Sequence, residues 1–138
     1  MKATITAAIA AAATLVILSL PAYGAESRAK EPEAKSCVDT TRVDYTHVID
    51  DQNILFYMRG GDIYLNRLSQ PAPGLDRNRP FLHRTTVNRL CKHDIITVLE
   101  DWGFSFEPGA STTLGEFTPV DEEQAAAMRR EAAARPRH

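Results

Sequence analysis

Between residues 37 and 120 the apolar positions come in short runs broken by Gly, Pro, Asp and Asn. Their spacing is closer to the period of two of a β-strand than to the ~3.6 of a helix. The clearest unit is a pair of runs, Ile54-Leu55-Phe56-Tyr57-Met58-Arg59 and Asp62-Ile63-Tyr64-Leu65-Asn66-Arg67, flanking Gly60-Gly61. A Gly-Gly pair adopts the positive φ angles of a two-residue hairpin turn. That turn sets Arg59 opposite Asp62, Met58 opposite Ile63, Tyr57 opposite Tyr64 and Phe56 opposite Leu65. Alternation then predicts a core face of Ile54, Phe56, Met58, Ile63 and Leu65, and an outer face of Tyr57, Tyr64, Asn66 and the Arg59/Asp62 pair.

Upstream, residues 42–49 alternate Val43, Tyr45, His47 and Ile49 with polar neighbours and run into the turn-forming cluster Asp50-Asp51-Gln52-Asn53, so they predict a strand antiparallel to the hairpin. Residues 71–80 hold three prolines and a glycine, which excludes a central strand or a helix interior. A further strand is expected over residues 81–86. Residues 94–100, β-branched and apolar on both faces, predict a central strand. The aromatics of Trp102-Gly103-Phe104-Ser105-Phe106 are expected to close one end of the core, and residues 113–120 to form a last strand carrying Leu114 and Phe117. From Asp121 an acidic first turn, an alanine-rich middle and a basic end predict a helix. Met128 is its one large apolar residue, so weak docking and fraying are expected.

The fold class expected is therefore all-β: a small antiparallel barrel or compact sandwich of about five to six strands over residues 37–120, with a C-terminal helix. Residues 121–138 form a helical, partly disordered tail. Residues 26–36 carry no large apolar side chain and read as a disordered linker.

The first 25 residues change the picture most. Lys2 is followed by an uncharged apolar run and then by Pro21-Ala22-Tyr23-Gly24-Ala25, a helix break with small residues suited to cleavage, which is the pattern of a signal peptide. The alternative is a retained anchor, but alanine dominates the run and contributes little to a bilayer span. Removal of this segment leaves a chain of single-domain size without a transmembrane segment, in the periplasm or secreted. With 16 Lys and Arg against 18 Asp and Glu, the chain is no general polyanion binder, and nucleic acid is not an expected partner. In an oxidising compartment its two cysteines, Cys37 and Cys91, predict a disulfide bond rather than a metal or redox site, since no Cys-x-x-Cys spacing or second ligand pair accompanies them.

Several strings are similar to those of a bacterial family of small exported proteins designated only as a domain of unknown function. They are Cys37, the Asp50-Asp51 turn with Ile54-Leu55-Phe56, Tyr64-Leu65-Asn66-Arg67-Leu68, Cys91 followed by Asp94-Ile95-Ile96-Thr97-Val98, and Leu114-Gly115-Glu116-Phe117. The resemblance spans residues 37–120 and implies export and a shared small fold, but no activity. Members often carry a second cysteine pair near the positions held here by Ala72 and Thr112.

No catalytic, metal or cofactor motif is present. Asp50, Asp51 and Asp62 would serve a cation or an acid/base pair, yet turn chemistry accounts for them. His47, His83 and His93 are candidate bases and Ser105 and Ser111 candidate nucleophiles, with no nucleophile-elbow glycines around either serine. Residues 67–92 carry Arg67, Arg77, Arg79, Arg84, Arg89 and Lys92 against Asp76 alone. Together with the outer hairpin face this predicts a partner-binding surface of Tyr57, Tyr64, Asn66, Arg67, Arg77, Arg79 and Arg84, suited to an envelope protein, a cell-wall polymer or an anionic lipid surface. The function expected is a non-enzymatic binding or structural module of the envelope. The alternative is a small hydrolase-like periplasmic enzyme with an unrecognised Asp/His site, which a deep pocket of converging Asp and His side chains would favour.

Overall fold

The computed structural model describes residues 33–77, 79–85 and 87–136, so the expected signal peptide and most of the expected linker lie outside the described residues. Among the described residues nine strands and one α-helix follow one another: β1 (Cys37–Asp39), β2 (Val43–Val48), β3 (Asn53–Met58), β4 (Ile63–Arg67), β5 (Phe81–His83), β6 (Arg89–Cys91), β7 (Ile95–Asp101), β8 (Phe106–Thr113), β9 (Phe117–Val120) and α1 (Glu122–Ala134). They form three antiparallel sheets, ordered β2-β3-β4-β9, β5-β7-β8 and β1-β6. The class is the expected one, antiparallel β with a C-terminal helix. One core is drawn from all three sheets and includes Val48, Ile54, Phe56, Leu90, Ile96, Val98 and Phe117. Phe117 meets Phe56 edge to face at 5.2 Å.

The hairpin forms where expected, with its register shifted by one residue. Tyr57 pairs with Ile63, Phe56 with Tyr64 and Leu55 with Leu65. Met58 N–H donates to the Asp62 carbonyl and Gly61 N–H to the Met58 carbonyl, so the loop is Arg59-Gly60-Gly61, three residues rather than two. Both glycines take positive φ, 111° and 97°, which serves the longer loop as well as the shorter. A one-residue slip moves every side chain of a strand to the other face. Tyr64 and Asn66 therefore join Ile54 and Phe56 on the main-core side, while Ile63 and Leu65 turn to the opposite face with Leu55 and Tyr57. Arg59 and Asp62 do not pair. Asp62 lies 3.9 Å from Arg42 instead, an exposed contact worth little.

The slip is tolerated because both faces of this sheet are covered. On the second face Leu55, Tyr57, Ile63 and Ala125 form a second core, with Ile49, Leu65, Val120 and Met128 against it. Here α1 lies against the sheet, with Met128 packed on the second core. Ala125 and Ala132 are its buried residues. Asp121 caps the helix: its carboxylate accepts from Gln124 N–H while the Gln124 side chain accepts from Asp121 N–H. Arg129 lies 5.6 Å over the Tyr57 ring, which stacks on Tyr45 at 4.3 Å.

Three further expectations are corrected. The single strand over residues 113–120 is two strands in different sheets, because Gly115 turns the chain between them. Asn66 Nδ2 donates to the Gly115 carbonyl and Gly115 N–H donates to Asn66 Oδ1, each at 2.9 Å. A Cβ on Gly115 would sit 2.1 Å from the Arg67 carbonyl oxygen, so only glycine fits. The aromatics of residues 102–106 close no core: they stand at the tip of the β7–β8 hairpin, beyond the packed part of the sheet. Lys35, inside the expected linker, exchanges two backbone hydrogen bonds with Phe117 and donates from Nζ to the Tyr64 hydroxyl at 2.7 Å.

The Cys37–Cys91 disulfide is formed. The two residues are direct cross-strand partners of β1 and β6. The bond closes a separation of 54 residues. No helix of the described residues is long and apolar enough to cross a membrane.

Candidate functional site

The two larger sheets each end in an edge strand, β2 and β5, and a cleft of about 540 Å³ opens between them. Its floor is apolar, made by Val48, Phe56 and Leu90, which are buried main-core residues. Its rim is basic and polar: Thr46 and His47 from β2, Arg77 and Arg79 from the loop before β5, and His83 from β5. Phe81 and Pro80 complete the far wall. No carboxylate lines it among the described residues.

The loop that carries the arginines is held by local chemistry. Ala72 N–H donates to the Asp51 carbonyl at 2.7 Å, and Leu75 N–H to the Ala72 carbonyl at 3.0 Å. Ala72 and Leu75 are buried, anchoring the loop to the main core. Gly74 takes φ +86°, and Arg79 Nη1 passes 3.2 Å from where a Cβ would stand, so glycine both makes the turn and leaves room for the guanidinium. Arg79 Nε is 3.7 Å from Asp76 on the exposed side. Arg77 enters no salt bridge among the described residues.

His47 is held below its ordinary pKa, first by partial burial and then by the positive charges of Arg129 on α1 and Arg77 on the loop. Its neutral form therefore dominates near pH 7. The unfolded chain binds a proton at this site more readily than the folded one. This group's contribution to stability is complete above the ordinary histidine pKa and is lost as pH falls through the depressed one. An anion seated in the cleft would reverse the shift, because it favours the imidazolium.

Of the seven residues expected to form a partner surface, Arg77 and Arg79 converge on the cleft. Tyr57, Tyr64 and Asn66 are buried, Tyr57 and Tyr64 on opposite faces of the sheet, so the three present no common surface. Arg67 is exposed at the end of β4, and Arg84 borders a separate shallow depression with Leu82, His93 and Ile95. Among the acids, Asp50 is a turn residue: its carboxylate accepts from the backbone N–H groups of Gln52 and Asn53 and from the Asn53 side chain. The candidate nucleophiles stand apart from the histidines of the cleft, Ser105 at the β7–β8 tip and Ser111 bonded to Thr97. No cluster of three or more His, Cys, Asp or Glu able to hold a metal occurs among the described residues.

Sequence reasoning named His47 and His83 singly, as candidate bases, and Arg77 and Arg79 as part of a basic stretch. It missed that all four line one cleft with an apolar floor, since His47 on β2 is thirty residues from the stretch 77–83 that carries the others. No family model, curated protein or solved structure matches the chain.

Proposed function

We propose that the protein is an exported, non-enzymatic binding module whose cleft takes an anionic group attached to an apolar body. The observation that carries this reading is the convergence of Arg77, Arg79, His47 and His83 over Val48, Phe56 and Leu90, with no carboxylate in the lining. Two guanidinium groups supply charge-assisted hydrogen bonds to a carboxylate, sulfonate or phosphate. The floor buries the apolar part of the ligand, and the volume is within the range of small-molecule sites. Candidates in an envelope are an acidic protein side, a cell-wall polymer or a lipid headgroup with part of its chain.

Export is supported by the signal-like pattern of the first 25 residues and by the disulfide, a bond of oxidising compartments. The lining favours binding over hydrolysis, because the two imidazoles have no carboxylate among the lining residues to orient them.

The test is titration of the purified chain, lacking residues 1–25, with an anilinonaphthalene sulfonate, an apolar anion whose emission rises in a non-aqueous site. Saturable binding is expected. Replacing both Arg77 and Arg79 by serine should weaken it by about tenfold or more, the loss of at least one charged hydrogen bond, with the unfolding midpoint unchanged. Equal binding by the double variant would sink the reading.

A further inference from the structure

The β7–β8 hairpin ends in a surface that no element among the described residues covers. Trp102 is 67% exposed, Phe104 fully exposed and Phe106 57% exposed. Isolated apolar residues are ordinary on a surface; three aromatic rings within five residues on one turn form a patch that marks an interaction site. The turn is formed and needs no ordering to bind: Trp102 N–H donates to the Ser105 carbonyl at 3.1 Å, Gly103 N–H donates to Asp101 Oδ1 at 2.7 Å, and Gly103 takes φ +84°. Just below the rings, Glu100 and Glu107 are direct cross-strand partners and Asp101 stands beside them. Like charges placed opposite each other disfavour a sheet. None of the three enters a salt bridge among the described residues. The tip thus combines an apolar aromatic head with an unneutralised acidic collar.

The cleft between β2 and β5 has the complementary character, an apolar floor under Arg77, Arg79 and two histidines. We infer that the occupant of the cleft is the hairpin tip of a second copy of this chain, its aromatic rings on the floor and its carboxylates against the arginines. The inference rests on the cleft reading above and names the partner. The acidic collar argues against an anionic membrane as the tip's target, because it would be repelled there. Each copy keeps its own cleft and its own tip, so the contact is between different patches. It builds a closed ring or reciprocal pair where the rotation closes, and a chain of copies where it does not. One hairpin tip buries less area than a stable dimer needs, so the association is weak and concentration-dependent.

Trp102 is the only tryptophan, so its emission reports on the tip directly. Sedimentation equilibrium and Trp102 emission would be followed together on the disulfide-bonded chain without residues 1–25, from dilute to concentrated solution. Association accompanied by a blue shift is expected. Phe104→Ser, at a position with no packing to lose, should weaken association by about tenfold or more at an unchanged unfolding midpoint. Arg79→Glu and Glu107→Arg should each be monomeric alone and should associate when mixed, since one then supplies the matching cleft and the other the matching tip. A monomer with exposed Trp102 at every concentration would overturn the inference. So would a blue shift produced by neutral phosphatidylcholine vesicles but not by concentration, or association that survives Phe104→Ser and Arg79→Glu. Retention of sulfonate binding alongside such a result leaves the cleft reading standing and removes only its occupant. Loss of both removes the two together.

Discussion

At the scale of single residues, the two faces of the β3–β4 hairpin show why polar groups sit inside this domain. Asn66 is fully buried, and its amide is used at both ends by Gly115. A leucine there would fill a similar space and leave the Gly115 N–H and carbonyl without partners. Asn66→Leu should therefore cost about 3 kcal/mol, measured by denaturant unfolding, despite making the core more apolar. Tyr57 gives the opposite sign. Its hydroxyl is buried and has no hydrogen-bond partner among the described residues, and that burial raises its pKa. Tyr57→Phe keeps the stack on Tyr45 and removes an unsatisfied group. It should be neutral or stabilising by up to about 1 kcal/mol. Neither role is visible in the alternation pattern, which placed both side chains on an outer face. Such a pattern distinguishes polar from apolar; it does not distinguish a tyrosine whose ring packs inside, or an asparagine whose hydrogen bonds are all satisfied, from an exposed one.

At the scale of elements, the strands, the helix start and the cysteine pair were legible because local chemistry dictates them. Turn-forming residues bound the strands, Asp121 with Glu122 and Glu123 opens α1, and the sequence's two cysteines have only each other to pair with. What was not legible is pairing. Gly60-Gly61 is compatible with loops of two and of three residues, and the choice falls to tertiary contacts: α1 covers one face of the sheet, and Lys35 and Gly115 satisfy Tyr64 and Asn66 on the other. The burial of Ala125 and Ala132 was not legible for a related reason, since alanine carries little apolar area and marks no helix face. The disulfide joins the two-stranded sheet, whose strands are only three residues each and too short to pair stably alone. Replacing Cys37 and Cys91 by serine should lower stability by up to about 4 kcal/mol in the chain-entropy account. Thermal unfolding of the double variant checks this, and a midpoint equal to that of the oxidised protein would show that the bridge contributes nothing.

At the scale of the whole molecule, the basic cleft exists because two sheets end beside each other. Its arginines come from a loop pinned by Ala72 and Leu75, its histidines from two edge strands, and its floor from the main core. The basic loop was legible as composition; the cleft was not, because charge counts carry no information on which side chains face a common space. His47 gives the cleft a pH dependence with a definite sign: its pKa is depressed in the free protein, so an anionic ligand should bind more tightly as pH falls below the ordinary histidine range and protonation is coupled to binding. The most direct measurement of the central claim is a two-dimensional amide NMR titration of the folded chain with the sulfonate probe at pH 7 and again at pH 5.5. Saturable shifts confined to Thr46, His47, Arg77, Arg79, Phe81 and His83, with tighter binding at the lower pH, are predicted. Shifts centred instead on the Leu82, His93 and Ile95 depression, or no saturable shift in the cleft at either pH, would contradict it.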